Sequence, residues 1–147
     1  MQVKYYSSAK LTNGVFMNAE IMEFCRNYMR DVPNMQIRQS QMLLLCRMCS
    51  GTGISTPVAL AADMRVSKAM ISSHLNALIG AGLVMRMPSP EDGRSVYVVP
   101  TKKGAALVQK FNAANQQKLD LLADKMGRAK FTEFIKLIVV ANDILKA

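Results

Sequence analysis

The chain has one histidine and three cysteines in 147 residues, and these scarcities narrow its chemistry. Cys46, Cys49 and a lone His74 are too few for a four-ligand structural zinc site. An odd cysteine count makes no disulfide framework. No second histidine, no Gly-rich phosphate loop and no carboxylate pair within an apolar stretch is present, so neither an enzyme nor a cofactor is expected. No segment approaches about eighteen uninterrupted apolar residues, the length of a membrane span. The opening MQVKYYSSAK is polar and lacks the apolar run of a signal peptide. The expected location is the cytoplasm.

What the sequence holds is a large apolar fraction and an excess of positive charge. Half of the residues are hydrophobic, enough to build a core in one compact unit or in a small domain with a helical extension. Nineteen Lys and Arg against ten Asp and Glu give a net charge of +9. Such a balance suits an anionic partner, most often nucleic acid; simple solubility is the plainer alternative. Residues 1–56, 57–104 and 105–147 each carry a net +3, so charge totals do not locate a binding face.

Turn residues fall at Val32-Pro33-Asn34, Ser50-Gly51-Thr52-Gly53, Gly80-Ala81-Gly82 and Pro88 to Gly93. Between them apolar residues recur at helical spacing over about 9–31 and 37–49. Thr56 followed by Pro57 starts a helix reaching about Met64, and Ser67 caps another over about 68–81 that stops at Gly82. The period then changes. Residues 83–87 and 95–99 are short, partly β-branched runs joined by a polar loop, which predicts a hairpin. Thr101 caps a long helix, and a last helix over about 128–146 aligns Phe131, Phe134, Ile135, Ile138 and Leu145. The expected fold is mainly α with a small β-hairpin (α+β): a winged helix-turn-helix at 37–104 flanked by dimerisation helices at 1–36 and 105–147.

The helix at 68–81 carries the functional signal. Ile71, Leu75, Leu78 and Ile79 form its inner side, while Lys68, Ala69, Ser72, Ser73 and Asn76 face outward. No Asp or Glu occurs from Lys68 to Met87. A helix enters the major groove of B-DNA when its outer face is slim and donates hydrogen bonds. An ordinary solvated face is the alternative, but such faces are usually rich in Glu–Lys pairs. His74, beside Leu75, reads as a half-buried structural residue.

The block PVALAADMRVSKAMISSHLNALIGAGLVMRMPSPEDGRSVYVVPTKKG resembles the signature region of MarR-type winged-helix regulators, the multiple-antibiotic-resistance repressors. Leu60-Ala61, Ser67, Gly82-Leu83-Val84, the wing from Pro88 to Ser95, and Thr101 with Gly104 carry the resemblance. It is strong over 56–104 and limited to helix order in the flanks. It implies DNA contacts from Arg65, Ser67, Lys68, Ala69, Met70, Ser72, Ser73, Asn76 and Arg86, with Arg94 entering the minor groove and Asp92 restraining it. A polar hairpin turn remains the alternative for the last two. Ser73 and Met70 depart from the family, where an arginine and a hydroxyl residue are common, so long basic readers are few.

The resemblance further implies a homodimer reading a pseudo-palindromic operator in double-stranded DNA, and a small-molecule effector bound between the dimer layer and the winged helices. The apolar terminal helices independently favour a dimer, with Phe131, Phe134, Ile135, Ile138 and Leu145 in the seam. Cys25, Cys46 and Cys49 are candidate redox sensors, with Cys46 and Cys49 on one helix face; packing explains them equally well. The twelve methionines suit core gap-filling or an adaptable interior. The rival readings are a thiol-based redox regulator and a winged helix used for protein interaction.

Overall fold

Leu44, Leu45, Ile71, Leu78 and Val98 are fully buried, and they come from two helices and a strand that the sequence separates by up to 54 positions. They mark one core. The computed structural model describes Ser7 and residues 13–30, 36–51, 53–89 and 95–146. The chain divides into two compact units, Met1–Val32 and Pro33–Ala147.

The first unit contributes α1, Gly14–Met29. Asn13 Oδ1 accepts the Phe16 N–H at 3.1 Å and caps it. The remainder of the helix expected over 9–31 lies largely outside the described residues. Val15, Ile21 and Met22 on α1 are exposed.

In the second unit the described residues form five helices and a two-stranded hairpin. Helix α2, Gln39–Ser50, starts where the Gln41 side chain accepts the Arg38 N–H at 2.9 Å. Its Met42, Leu44, Leu45 and Met48 are buried. Helix α3, Pro57–Met64, is capped by Thr56 Oγ1 on the Ala59 N–H, with Pro57 in its first turn as expected. Helix α4, Lys68–Gly80, is capped by Ser67 Oγ on the Met70 N–H. Strands β1, Val84–Pro88, and β2, Val96–Pro100, pair antiparallel, with Arg86 opposite Val98. Helices α5, Lys102–Met126, and α6, Arg128–Lys146, follow.

Both strands begin one residue later than the period suggests. Leu83 belongs to the end of α4: its N–H donates to Leu78 O at 2.9 Å while Gly82, at φ 73°, donates to Ile79 O. That six-to-one closure on a left-handed glycine consumes the residue that would have opened β1. The hairpin also has an unforeseen neighbour. Ser55 exchanges two backbone hydrogen bonds with Val98, 3.2 and 2.8 Å, fastening the segment before α3 to β2. One bridging residue leaves no periodic signal.

Between α3 and α4 the chain turns at Arg65, a non-glycine residue at φ 51°. A left-handed conformation costs an L-residue about 1–2 kcal/mol. Glycine would relieve that strain but also loosen the unfolded chain by about 0.4–1 kcal/mol. Arg65→Gly is therefore expected to stabilise the fold by about 0.5 kcal/mol net, measured by urea denaturation. A loss of stability would show that the Arg65 side chain supports the corner.

Candidate nucleic-acid interface

Helix α4 is fixed from below by Ile71, Leu75 and Leu78, which are 0, 2 and 0% exposed. That anchoring turns the opposite side outward. Lys68, Ala69, Met70, Ser72, Ser73 and Asn76 are all exposed, as are Arg65 and Ser67 at the corner before them. The outer surface is thus small, polar or basic, with a positive helix terminus next to Lys68. No carboxylate lies on this helix.

Arg86 and Asn76 meet. The Arg86 guanidinium, projecting from β1, donates through Nη2 to Asn76 Oδ1 at 2.9 Å. Each was a candidate contact by itself; nothing in the spacing of a helix residue and a strand residue ten positions on announces their pairing. The bond uses one of five guanidinium N–H groups and one lone pair of the amide oxygen, so the Asn76 amide retains both its donors. Asn76 is consequently better set to donate to a base or phosphate than to make the two-way contact asparagine makes with adenine.

The hairpin stem continues past its strands through a Ser89 N–H to Ser95 O bond of 2.9 Å. Asp92 and Arg94, at the expected wing tip, lie outside the described residues. His74 is half-buried, in keeping with a structural role.

The start of α5 is joined to the end of α4. Thr101 Oγ1 donates to Gly82 O at 2.7 Å, the Thr101 N–H to Leu83 O at 3.0 Å, and Lys103 Nζ to Ala81 O at 2.8 Å. An ammonium on the last carbonyls of a helix complements its negative end. Beside this joint Ile37, Ala81, Leu83, Lys103, Leu107 and Lys110 line a cavity of about 320 Å³.

The five residues expected in a dimer seam all lie on α6. Phe131, Phe134 and Ile138 are half-buried, Ile135 is at the margin of exposure, and Leu145 is 85% exposed. Leu137, Val139, Val140 and Ile144 are also exposed, so the apolar surface of α6 is wider than the expected stripe. Cys25 is exposed, whereas Cys46 and Cys49 are half-buried. Burial pushes both of these thiols up, and the neighbouring Cys49 charge raises Cys46 further. No group of three or more metal-ligating side chains occurs among the described residues, and no described helix is long and apolar enough to cross a membrane.

Two helices joined at a tight corner, the second with a slim basic outer face, followed by an antiparallel hairpin, define a winged helix-turn-helix protein. Residues 37–96 match the sequence model of the MarR family. A helix-turn-helix transcriptional regulator of Mycobacterium leprae is 31% identical over 111 residues, which is 76% of each chain. A mutant MarR of E. coli in complex with operator DNA superposes with a TM-score of 0.68 at 23% identity, covering 87% of this chain and 91% of that one. The PcaV regulator of Streptomyces coelicolor, in complex with its natural ligand, gives 0.71 at 13% identity over 95% and 98%. The chain belongs to the MarR family, and it is a transcriptional regulator of that family.

Proposed function

We propose that the protein is a cytoplasmic homodimeric repressor that binds a pseudo-palindromic operator and releases it when a small molecule binds. The observation that carries this reading is the acid-free outer face of α4 with Arg86 held against Asn76 at its edge. Residues 37–104 form the DNA-binding part, with Arg65, Ser67, Lys68, Ala69, Met70, Ser72, Ser73, Asn76 and Arg86 at the duplex and Asp92 and Arg94 in the wing. Residues 1–36 and 105–147 supply the dimer layer, in which Phe131, Phe134, Ile135, Ile138 and Leu145 are covered by the second copy. Two copies of α4 then lie about one DNA turn, ~34 Å, apart. The E. coli relative in complex with operator DNA shares the fold, which supports this arrangement. No catalytic step belongs to it.

The cavity beside the α4–α5 joint is the proposed effector site. Its lining is apolar apart from Gln36 and two lysines, Lys103 and Lys110, which suits a small anion with an apolar body. The PcaV relative, solved in complex with its natural ligand, supports control by a bound ligand. At Cys46 and Cys49, burial pushes both thiols away from the thiolate form that peroxide attacks, which favours effector control over peroxide sensing by that pair.

Binding to duplex recovered from a genomic library, measured across salt concentrations, tests the reading. Affinity is expected to fall steeply with salt as counterions are released. A flat dependence overturns it and leaves a protein-interaction module. Arg94→Ala is expected to reduce the salt slope by about one unit per dimer arm while leaving dimerisation unchanged. Wild-type slope in that variant would remove the wing from the DNA contact.

A further inference from the structure

Cys46 and Cys49 occupy successive turns at the end of α2, where both line one groove of about 550 Å³ between α2 and α5. Leu43, Ala105 and Val108 supply apolar wall, and Arg47 and Asn112 supply the polar rim. No Asp, Glu or His lines the groove. Oxygen-preferring cations therefore find no ligands there, and Arg47 repels them.

Side chains three apart on a helix hold their Cβ atoms about 5–6 Å apart. A disulfide requires about 3.5–4.5 Å. The pair is thus too wide to join directly without unwinding the last turn of α2. A pyramidal soft centre bonded to two sulfurs at about 2.3 Å each holds them roughly 3.5 Å apart instead of the ~2.05 Å of a disulfide, so it suits a wider pair of Cβ atoms. A tetrahedral zinc site would need further protein ligands, and none is clustered there among the described residues. A centre that brings its own third substituent needs only the two thiols.

From this geometry we infer that Cys46 and Cys49 form a dithiol site for a soft, thiol-bridging species of the trivalent organoarsenic type, its organic group lying against Leu43 and Val108. With phenylarsine oxide as the probe, two As–S bonds form and the arsenic–oxygen bond breaks. The two thiol protons leave with that oxygen as water, and arsenic stays trivalent. Nothing is oxidised or reduced. The burial that holds these thiols protonated blunts their reaction with peroxide but does not oppose this condensation, which begins from the neutral thiols. A bridge from Cys46 to Cys49 also fixes the final turn of α2, where Ser50 Oγ donates to the Arg47 carbonyl at 3.1 Å.

The folded full-length protein is titrated with phenylarsine oxide, read by intact mass, remaining thiol count and thermal unfolding. One phenylarsenic group per chain is expected, with two of the three thiols consumed and a raised unfolding temperature. Cys46→Ala and Cys49→Ala, each compatible with a helix, are each expected to weaken binding about 100-fold or more, because one thiol loses the gain of two-point attachment. Cys25→Ala is expected to bind as wild type. Undiminished binding by either groove variant, loss of the adduct in Cys25→Ala, or an adduct formed only after unfolding would each overturn the site. None of these readouts depends on DNA, so failure here and failure of the repressor reading are separable.

Discussion

Gly104→Ala is expected to lower the unfolding free energy by about 3 kcal/mol, the upper range for overpacking a close contact. Alanine normally gains about 1 kcal/mol over glycine within a helix, so the sign itself is diagnostic. Gly104 sits in the first turn of α5, where a Cβ would overlap the Leu83 carbonyl oxygen and meet Leu45 Cδ1 at 3.4 Å. The first obstacle is backbone, and it cannot step aside. Leu83 O accepts the Thr101 N–H, while Gly82 O and Ala81 O are held by Thr101 and Lys103. The added methyl must open that joint or tilt α5. Against a total stability of about 5–15 kcal/mol, the loss is large. Gly80→Ala is the control, because a Cβ at Gly80 meets nothing within 4 Å. It is expected to be neutral or to gain up to about 1 kcal/mol in urea denaturation. A Gly104→Ala protein as stable as its parent would show that the joint yields.

Asn76→Ala and Arg86→Ala are each expected to weaken operator binding by about 1–3 kcal/mol, with little loss on random duplex. Their combination should lose less than the sum. Asn76 holds the Arg86 guanidinium at 2.9 Å, so its removal takes away one contact and also frees a side chain that was already ordered. Once Arg86 is gone, only the direct contact of Asn76 is left to lose. A double-mutant cycle on operator affinity should therefore show a coupling of about 0.5–3 kcal/mol. Both residues are exposed, so unfolding temperature should barely change. Strict additivity would mean that the two act on the duplex independently, and equal losses on both DNAs would assign them to the backbone.

Most of the fold follows from short-range chemistry. Asn13, Thr56, Ser67 and Thr101 each cap a helix with a side-chain oxygen on the N–H three residues on, which is why helix starts were legible at Thr56, Ser67 and Thr101. The inner face of α4 was legible for the same reason, since Ile71, Leu75 and Leu78 repeat at the helical period. What escaped depends on tertiary partners. The Ser55 bridge, the Lys103 tie and the Arg86–Asn76 bond each join residues that no period relates. Leu83 looked like strand because it is apolar beside Val84, yet the helix end claims its N–H. On α6 the stripe of five apolar residues understated the exposed surface because Leu137, Val139 and Val140 fall between its members.

The joint at Ala81, Gly82 and Leu83 also has a mechanical side. It makes α4 and α5 turn together, and α5 has 25 residues, about 37 Å of stiff rod. A tilt of roughly 5° at one end of such a rod displaces the other by about 3 Å. Successive base pairs are about 3.4 Å apart. A lever of this length, if held at its Met126 end, would therefore carry α4 by nearly one base-pair step for a tilt of a few degrees, and Lys103 ties α4 to the moving end.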